Sequence, residues 1–137
     1  MLKPVVQEEK TGCGIACVAT LAGITYSSSK KVANRQGIYA DDSNLWSNTE
    51  YVKRLCASLN IRVAAKKAPF KSWKSLPDYA LLAIKWHIES GTPFWHWTVF
   101  VREGGECYVL DPKKGLKTNL RTDFGRIKPK WFIKVFL

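Results

Sequence analysis

The sequence predicts an α+β fold over residues 1–137 as one domain, with an N-terminal helical half packed on a C-terminal, mostly antiparallel sheet. Two patterns carry this expectation. Before Asn60, apolar residues recur at helical spacing between capping residues; after it, aromatic and β-branched runs separated by prolines read as strands. Strands that follow helices in a block, rather than alternating with them, favour antiparallel pairing.

The first element is the apolar run Ile15 to Ala22, opened by Gly12-Cys13-Gly14 and stopped at Gly23. A helix apolar on nearly every side has to be buried. Ser27-Ser28 can cap a short helix that ends at Gly37. Ser47-x-x-Glu50 has the form of a capping box for a helix carrying Tyr51, Val52, Leu55 and Leu59. Strand-like segments follow at Ile61 to Ala64, Tyr79 to Trp86, 94–102, 107–110 and Lys130 to Phe136, with Pro69, Pro77, Pro93, Pro112 and Pro129 between or beside them. Between the third and fourth of these, Glu103-Gly104-Gly105-Glu106 offers a two-residue Gly-Gly hairpin turn. That turn pairs Glu103 with Glu106 and sets Thr98 opposite Asp111. His96 and Asp111 then share a face as diagonal neighbours, roughly 7–8 Å apart between backbones.

Composition narrows the function classes. With 46% hydrophobic and 24% charged residues, the chain can bury a core and is not a disordered segment. No apolar stretch approaches the roughly 18 residues that span a bilayer, and the first residues lack the apolar centre of a signal peptide. Synthesis in the cytoplasm is therefore expected, with any export or injection by a route that an N-terminal signal does not encode. Four cysteines at 13, 17, 56 and 107 form no close-spaced framework, so reduced thiols are expected. Cys17 and Cys56 fall on apolar helix faces and read as core. A zinc site built on Cys13, Cys17 and a histidine is poorly supported by C-x-x-x-C spacing alone, and no metal or other cofactor is expected.

Twenty-two Lys and Arg against 11 Asp and Glu give a net charge of +11. The excess is concentrated from Arg62 to Lys74 and from Lys113 to Lys130, where Asp123 is the one acidic residue. Such stretches attract acidic peptides, anionic membrane surfaces or nucleic acid, or simply form a solvated basic face. Nucleic acid is the least favoured partner, because the aromatic residues concentrate in the strand-like runs and no nucleic-acid module is recognisable.

Chemistry concentrates at Cys13. A cysteine in the first turn of a helix feels the positive end of the helix dipole and unpaired N–H groups, both of which favour thiolate. The flanking glycines present no side chain to obstruct a substrate; the alternative is a core cysteine in an ordinary Gly-rich turn. Gln7, six residues upstream, carries an amide able to donate to the oxyanion formed when a thiolate attacks a carbonyl. The chain has two histidines, His87 and His96. His96 has an acidic diagonal neighbour in Asp111, as a general base held in one tautomer requires; His87 has none and reads as a structural or surface residue.

Gln7, then Cys13-Gly14-x-Ala16-Cys17 heading a buried helix, His96-Trp97 opening a strand after Gly-Thr-Pro, and Val109-Leu110-Asp111-Pro112 together resemble the papain-like peptidases that process double-glycine leader peptides of bacteriocins. The resemblance extends over most of the chain, and the order Gln, Cys, His, Asp carries it. It implies a papain-like fold with Cys13 as nucleophile, His96 as base, Asp111 as orienter and Gln7 as oxyanion donor. The sequence departs from that family at Gly12, where an acidic residue often precedes the nucleophile. The transporter domains that accompany leader peptidases are not among these residues.

The leading expectation is a cysteine hydrolase that cleaves peptide bonds through a thioester, after small residues, in an acidic or amphipathic peptide. The same apparatus serves glutamine deamidation and transamidation, as in effectors and toxins. A basic module that binds a peptide or nucleic acid without chemistry is the third alternative.

Overall fold

The computed structural model describes residues 2–137. Helices α1 (Cys13–Ala22), α2 (Tyr26–Arg35) and α3 (Glu50–Ser58) precede strands β1 (Arg62–Val63), β2 (Ala68–Pro69), β3 (Tyr79–Glu89), β4 (Thr92–Glu103), β5 (Glu106–Leu110), β6 (Leu120–Arg121) and β7 (Pro129–Phe136). A 3-10 turn over Ser43–Ser47 joins the second and third helices. The strands form an antiparallel sheet in the order β1-β7-β3-β4-β5-β6, with β2 also pairing β7. The expected α+β division, helices first and an antiparallel sheet after, is the one observed.

Every residue of α1 from Cys13 to Leu21 is buried, because the helix lies against β4 on one side and against α2 and α3 on the others. It ends as its sequence requires, with Gly23 in the left-handed region at φ 69°. The sheet is covered on both faces. Leu81 and Ala83 of β3 face the helices with Trp97 and Val99, while Ala80, Leu82 and Ile84 join Phe100 and Ile127 in a second cluster on the opposite face. Burial on both faces explains why β3 reads as a continuous apolar run rather than an alternating one.

Helix caps differ from the sequence expectation. The N-cap of α2 is Thr25, whose hydroxyl accepts from the Ser28 N–H at 3.1 Å; Ser27 and Ser28 lie inside the first turn. At α3, Asn48 Oδ1 accepts from Glu50 N at 2.7 Å and Tyr51 N at 3.3 Å, so the Ser47–Glu50 capping box does not form. An Asn two residues before the helix offers its carbonyl to the first-turn amides without needing Glu50 to reach back.

The hairpin register is as read from the Gly104-Gly105 turn, from Glu103↔Glu106 to Val99↔Leu110, and Asp111 lies one step beyond. The β3–β4 hairpin is longer than its prolines suggest. It runs through His87↔Phe94 to a tight turn at Ser90 and Gly91, both at positive φ. A bulge between Ile84 and His87 places Lys85 at φ 55°. The two-residue strands β2 and β6 carry no periodic pattern and are visible only from their partners.

Part of the positive charge is held against aromatic rings. The Arg62 guanidinium lies 4.6 Å from the Phe136 ring centroid, the Lys67 ammonium 3.9 Å from that of Trp131 and the Lys130 ammonium 4.5 Å from that of Trp86. Trp95, Trp97 and Trp131 are themselves buried.

Two tyrosines seat the start of α1. A Cβ on Gly12 would fall 2.2 Å from the Tyr26 hydroxyl oxygen, and one on Gly14 would fall 2.1 Å from that of Tyr51. The glycines beside Cys13 therefore admit two tyrosine rings; they do not clear an approach for substrate, as the sequence suggested. Tyr51 is 3% exposed and has no room to retreat. Gly14→Ala is accordingly expected to destabilise the fold by about 1–3 kcal/mol through overpacking, read as a lower urea midpoint at unchanged slope; a midpoint equal to the parent's would show that Tyr51 moves freely.

Candidate active site

Cys13 is the first residue of α1, and its sulfur accepts from the Trp97 backbone N–H of β4 at 3.5 Å. The preceding residue on that strand is His96. Its Nε2 lies 2.7 Å from Asp111 Oδ1, and the imidazole also lies within hydrogen-bonding reach of the Cys13 sulfur. With the proton on Nε2 donated to the carboxylate, Nδ1 is left to face the thiol. The structure thus brings Cys13, His96 and Asp111 into one chain of contacts that joins helix, strand and the loop after β5.

Asp111 is fully buried. Its Oδ1 accepts from the Lys113 N–H at 2.9 Å as well as from His96, and its Oδ2 accepts from Arg121 Nη1 at 3.0 Å. Arg121 is held in turn by a two-pronged pair with Asp123, at 2.9 and 2.8 Å. Asn119 completes the frame: its Nδ2 donates to the backbone oxygens of Asp111 at 2.8 Å and Lys113 at 2.9 Å. Burial by itself would raise the Asp111 pKa, but the His96 hydrogen bond and charge, the Lys113 amide and Arg121 outweigh it and hold the carboxyl down at about 2. Burial would likewise lower the His96 pKa; the Asp111 carboxylate and the Cys13 sulfur reverse that and lift it to about 9.

Gln7 is 6% exposed and tethered through its backbone N–H to the Pro112 oxygen at 2.9 Å. It therefore sits beside the Asp111 loop. Its Nε2 donates to the backbone oxygens of Glu9 at 2.9 Å and Lys10 at 3.0 Å. Its Oε1 is buried with no partner among the described residues. Gln7 and His96 line one cavity of about 380 Å³ together with Glu8, Glu9, Lys10, Trp46, Lys85, Lys113 and Lys114. Cys13 is 1% exposed and is not itself among the lining residues. Glu9 is occupied on the other side of the loop, accepting from the Tyr26 hydroxyl at 2.5 Å and pairing with Lys30.

The remaining thiols and the second histidine stand apart. Cys17 and Cys56 are buried in the core, where desolvation pushes the first well above the ordinary thiol range and the second up to about 12. His87 is exposed on the β3–β4 ribbon, its Nδ1 donating to the Lys85 carbonyl at 2.8 Å and its Nε2 3.2 Å from Glu89.

Sequence reasoning missed Arg121, Asn119 and the Lys113 amide. The Asp-Pro-Lys run carries a usable signal for the last, since an aspartate commonly bonds the amide two residues on. Arg121 is ten residues from Asp111 and reaches it through the β5–β6 pairing, which no local pattern announces.

No protein-family model matches the sequence, and no curated protein matches it. Its fold is similar to the crystal structure of a double-glycine-motif protease from an AMS/PCAT transporter, solved in complex with the leader peptide. That likeness covers 98% of this chain and 91% of the other at a TM-score of 0.57 and 18% identity, which shows a shared fold. A protease of the double-glycine class is the resemblance that Gln7, Cys13, His96 and Asp111 pointed to. Among the described residues no helix is long and apolar enough to cross a membrane.

The Asp111 environment sets an acid sensitivity. Because its folded pKa lies below the ordinary 3.8, the native state binds fewer protons than the unfolded chain. Asp111 therefore stabilises the fold above about pH 4, and that contribution is lost as pH falls through about 2. The size is roughly 2 kcal/mol. Urea unfolding across this window should show a flatter pH dependence in Asp111→Asn than in the parent; equal slopes would mean that Asp111 titrates normally.

Proposed function

We propose that the chain is a papain-like cysteine peptidase, one domain over residues 1–137, that cleaves an amide bond through a thioester. The observation that carries this is His96 set between the Cys13 sulfur and a fully buried, doubly anchored Asp111, on a fold shared with a protease. The imidazole retains a proton to about pH 9, so His96 stands ready as the proton donor when the Cys13 sulfur attacks as thiolate. The thiolate adds to the substrate carbonyl, and the oxyanion takes hydrogen bonds. His96 passes its proton to the departing amine, leaving the acyl group on sulfur. Neutral His96 then accepts a proton from water as that water attacks the thioester, and the acid product leaves.

Two donors serve the oxyanion. One is the backbone N–H of Cys13, which as a first-turn amide has no intrahelical partner. The other is Gln7 Nε2. Both of its hydrogens lie on carbonyls in the free protein, but the Lys10 oxygen also accepts from Trp46 Nε1 at 3.2 Å. The Gln7 N–H can leave that oxygen without orphaning it. The substrate is a peptide, cut after small residues, as the double-glycine specificity of the structurally similar protease suggests.

Activity should fall as pH rises through about 9, because the leaving amine then loses its proton donor. His96→Ala should abolish turnover. Asp111→Asn should retain partial activity, since the amide oxygen still accepts from Nε2, while the basic limb of kcat/KM moves down toward the ordinary histidine value. A basic limb unmoved by Asp111→Asn would detach Asp111 from His96 function.

Mass spectrometry on peptides containing small-residue pairs separates the chemistries that one Cys-His-Asp set can perform. Two shorter products are expected. An intact peptide with glutamine converted to glutamate, or with an added amine, would replace peptidase by deamidase or transamidase; binding without mass change would leave a peptide-binding module. On a cleaved peptide, Gln7→Ala should lower kcat by about 10²–10³ with KM little changed, and an unchanged kcat would reduce Gln7 to a structural residue of the loop.

A further inference from the structure

Two cavities meet at His96. The larger is the one that Gln7 lines; the second, of about 190 Å³, is lined by Trp46, Phe94 and Trp95 together with the exposed residues Lys85, His87 and Glu89, and it too reaches His96. Trp46, Lys85 and His96 belong to both cavities, and Gln7 lines the first and not the second. Three aromatic side chains around so small a space make an apolar hollow, and each of them is held in place. The Trp46 indole N–H donates to the Lys10 carbonyl at 3.2 Å, and its ring meets that of Phe94 edge-on with centroids 6.1 Å apart. His87 lies over Phe94 at 5.9 Å, 30° from parallel, and is tied to the Lys85 carbonyl and to Glu89. Trp95 is buried against Trp97 and Trp131. Walls fixed in this way need little ordering when a ligand arrives.

We infer that the hollow between Trp46, Phe94 and Trp95 is the subsite for the residue immediately after the cleaved bond, and that it selects an apolar side chain of leucine or phenylalanine size. The inference rests on the peptidase proposal and deepens it, since the small residues of that proposal belong to the acyl half of the substrate and the hollow sets a requirement on the leaving half. An oxyanion held by Gln7 and the Cys13 N–H keeps the acyl half in the cavity that Gln7 lines, whereas the leaving nitrogen has to lie against His96 to take its proton. The chain beyond that nitrogen continues past His96, where the hollow meets it. Size follows from volume. A dry cavity of roughly 150 Å³ with apolar walls takes up benzene, so about 190 Å³ admits one ring or a branched aliphatic chain. A glycine at this position leaves the aromatic walls uncovered, and an asparagine, close to leucine in shape, gives up water without an aromatic wall returning its hydrogen bonds.

The test separates binding from cleavage. Peptides of one sequence containing a Gly-Gly pair, with Phe, Leu, Asn or Gly placed either directly after the pair or two residues before it, are titrated onto Cys13→Ala by tryptophan fluorescence. The same peptides are digested by the parent enzyme, with the cut positions read by mass spectrometry. Directly after the pair, Phe and Leu should bind about ten-fold more tightly than Gly or Asn and raise kcat/KM by a similar factor. Phe94→Ala opens the wall and should bring the Leu and Gly peptides within about two-fold of each other. Phe94→Trp fills the hollow and should make Gly the tighter peptide, which carries the test if Phe94→Ala does not fold. Equal binding of the Leu, Asn and Gly peptides at that position overturns the subsite, and so does an apolar preference confined to the position before the pair. A preference that Phe94→Trp abolishes, in a protein that cuts none of the peptides, leaves the hollow its apolar ligand and overturns the peptidase proposal instead.

Discussion

Asp111 carries a negative charge out of reach of water, and three separate stretches of chain converge to tolerate it. His96 arrives on β4, the Lys113 amide through the turn after β5, and Arg121 on β6. A buried carboxylate stripped of a partner is strongly destabilising, so these contacts are a condition of the fold as well as of the site. They also leave the carboxylate no free rotation, because its two oxygens are claimed from different directions. The direction of the His96 ring is inherited from that arrangement. The loop from 111 to 120 follows the same demand, closed by Asn119 on both ends of the turn.

The helical half meets this construction where Cys13 lies against β4. Cys13 is placed by packing rather than by its own side chain: Tyr26 and Tyr51 fill the spaces that Gly12 and Gly14 leave, and the Trp97 N–H reaches the sulfur from the strand. The start of α1 is therefore registered to α2 and α3 through contacts that need glycine on both sides of the cysteine, and to the sheet through the Trp97 N–H. The acidic residue that often precedes the nucleophile in the leader peptidases would collide with Tyr26 here. A carboxylate is nevertheless close by, since Glu9 bonds the Tyr26 hydroxyl.

Local signals were legible where one physical rule dominated. The burial of α1, its stop at Gly23, the hairpin register set by Gly104-Gly105 and the strand character of β3, β4 and β7 all follow from periodicity or turn chemistry. The proximity of His96 and Asp111 was legible for the same reason, being a consequence of that register. Features decided by tertiary partners were not. Asn48 displaced Ser47 at the α3 cap because only the folded loop shows which side chain faces the free amides. The order of strands, which sets β7 between β1 and β3, leaves no mark in local pattern. Gln7 was readable as a residue near the site, but the carbonyls that hold its amide belong to the turn it folds against.

The position of β7 has a consequence for how the molecule comes together. Strands β3 to β6 pair with their neighbours in the chain, so that meander can assemble from contacts close in sequence. By contrast, β1 and β2 have only residues 129–136 as partners, 62 to 74 positions away along the chain. Closing so long a loop is entropically expensive and slow relative to hairpin formation. Assembly of the molecule is thus expected to be ordered in time, with the meander that carries His96 and Asp111 forming early and the docking of β7 joining it to the segment that leads back to the helices.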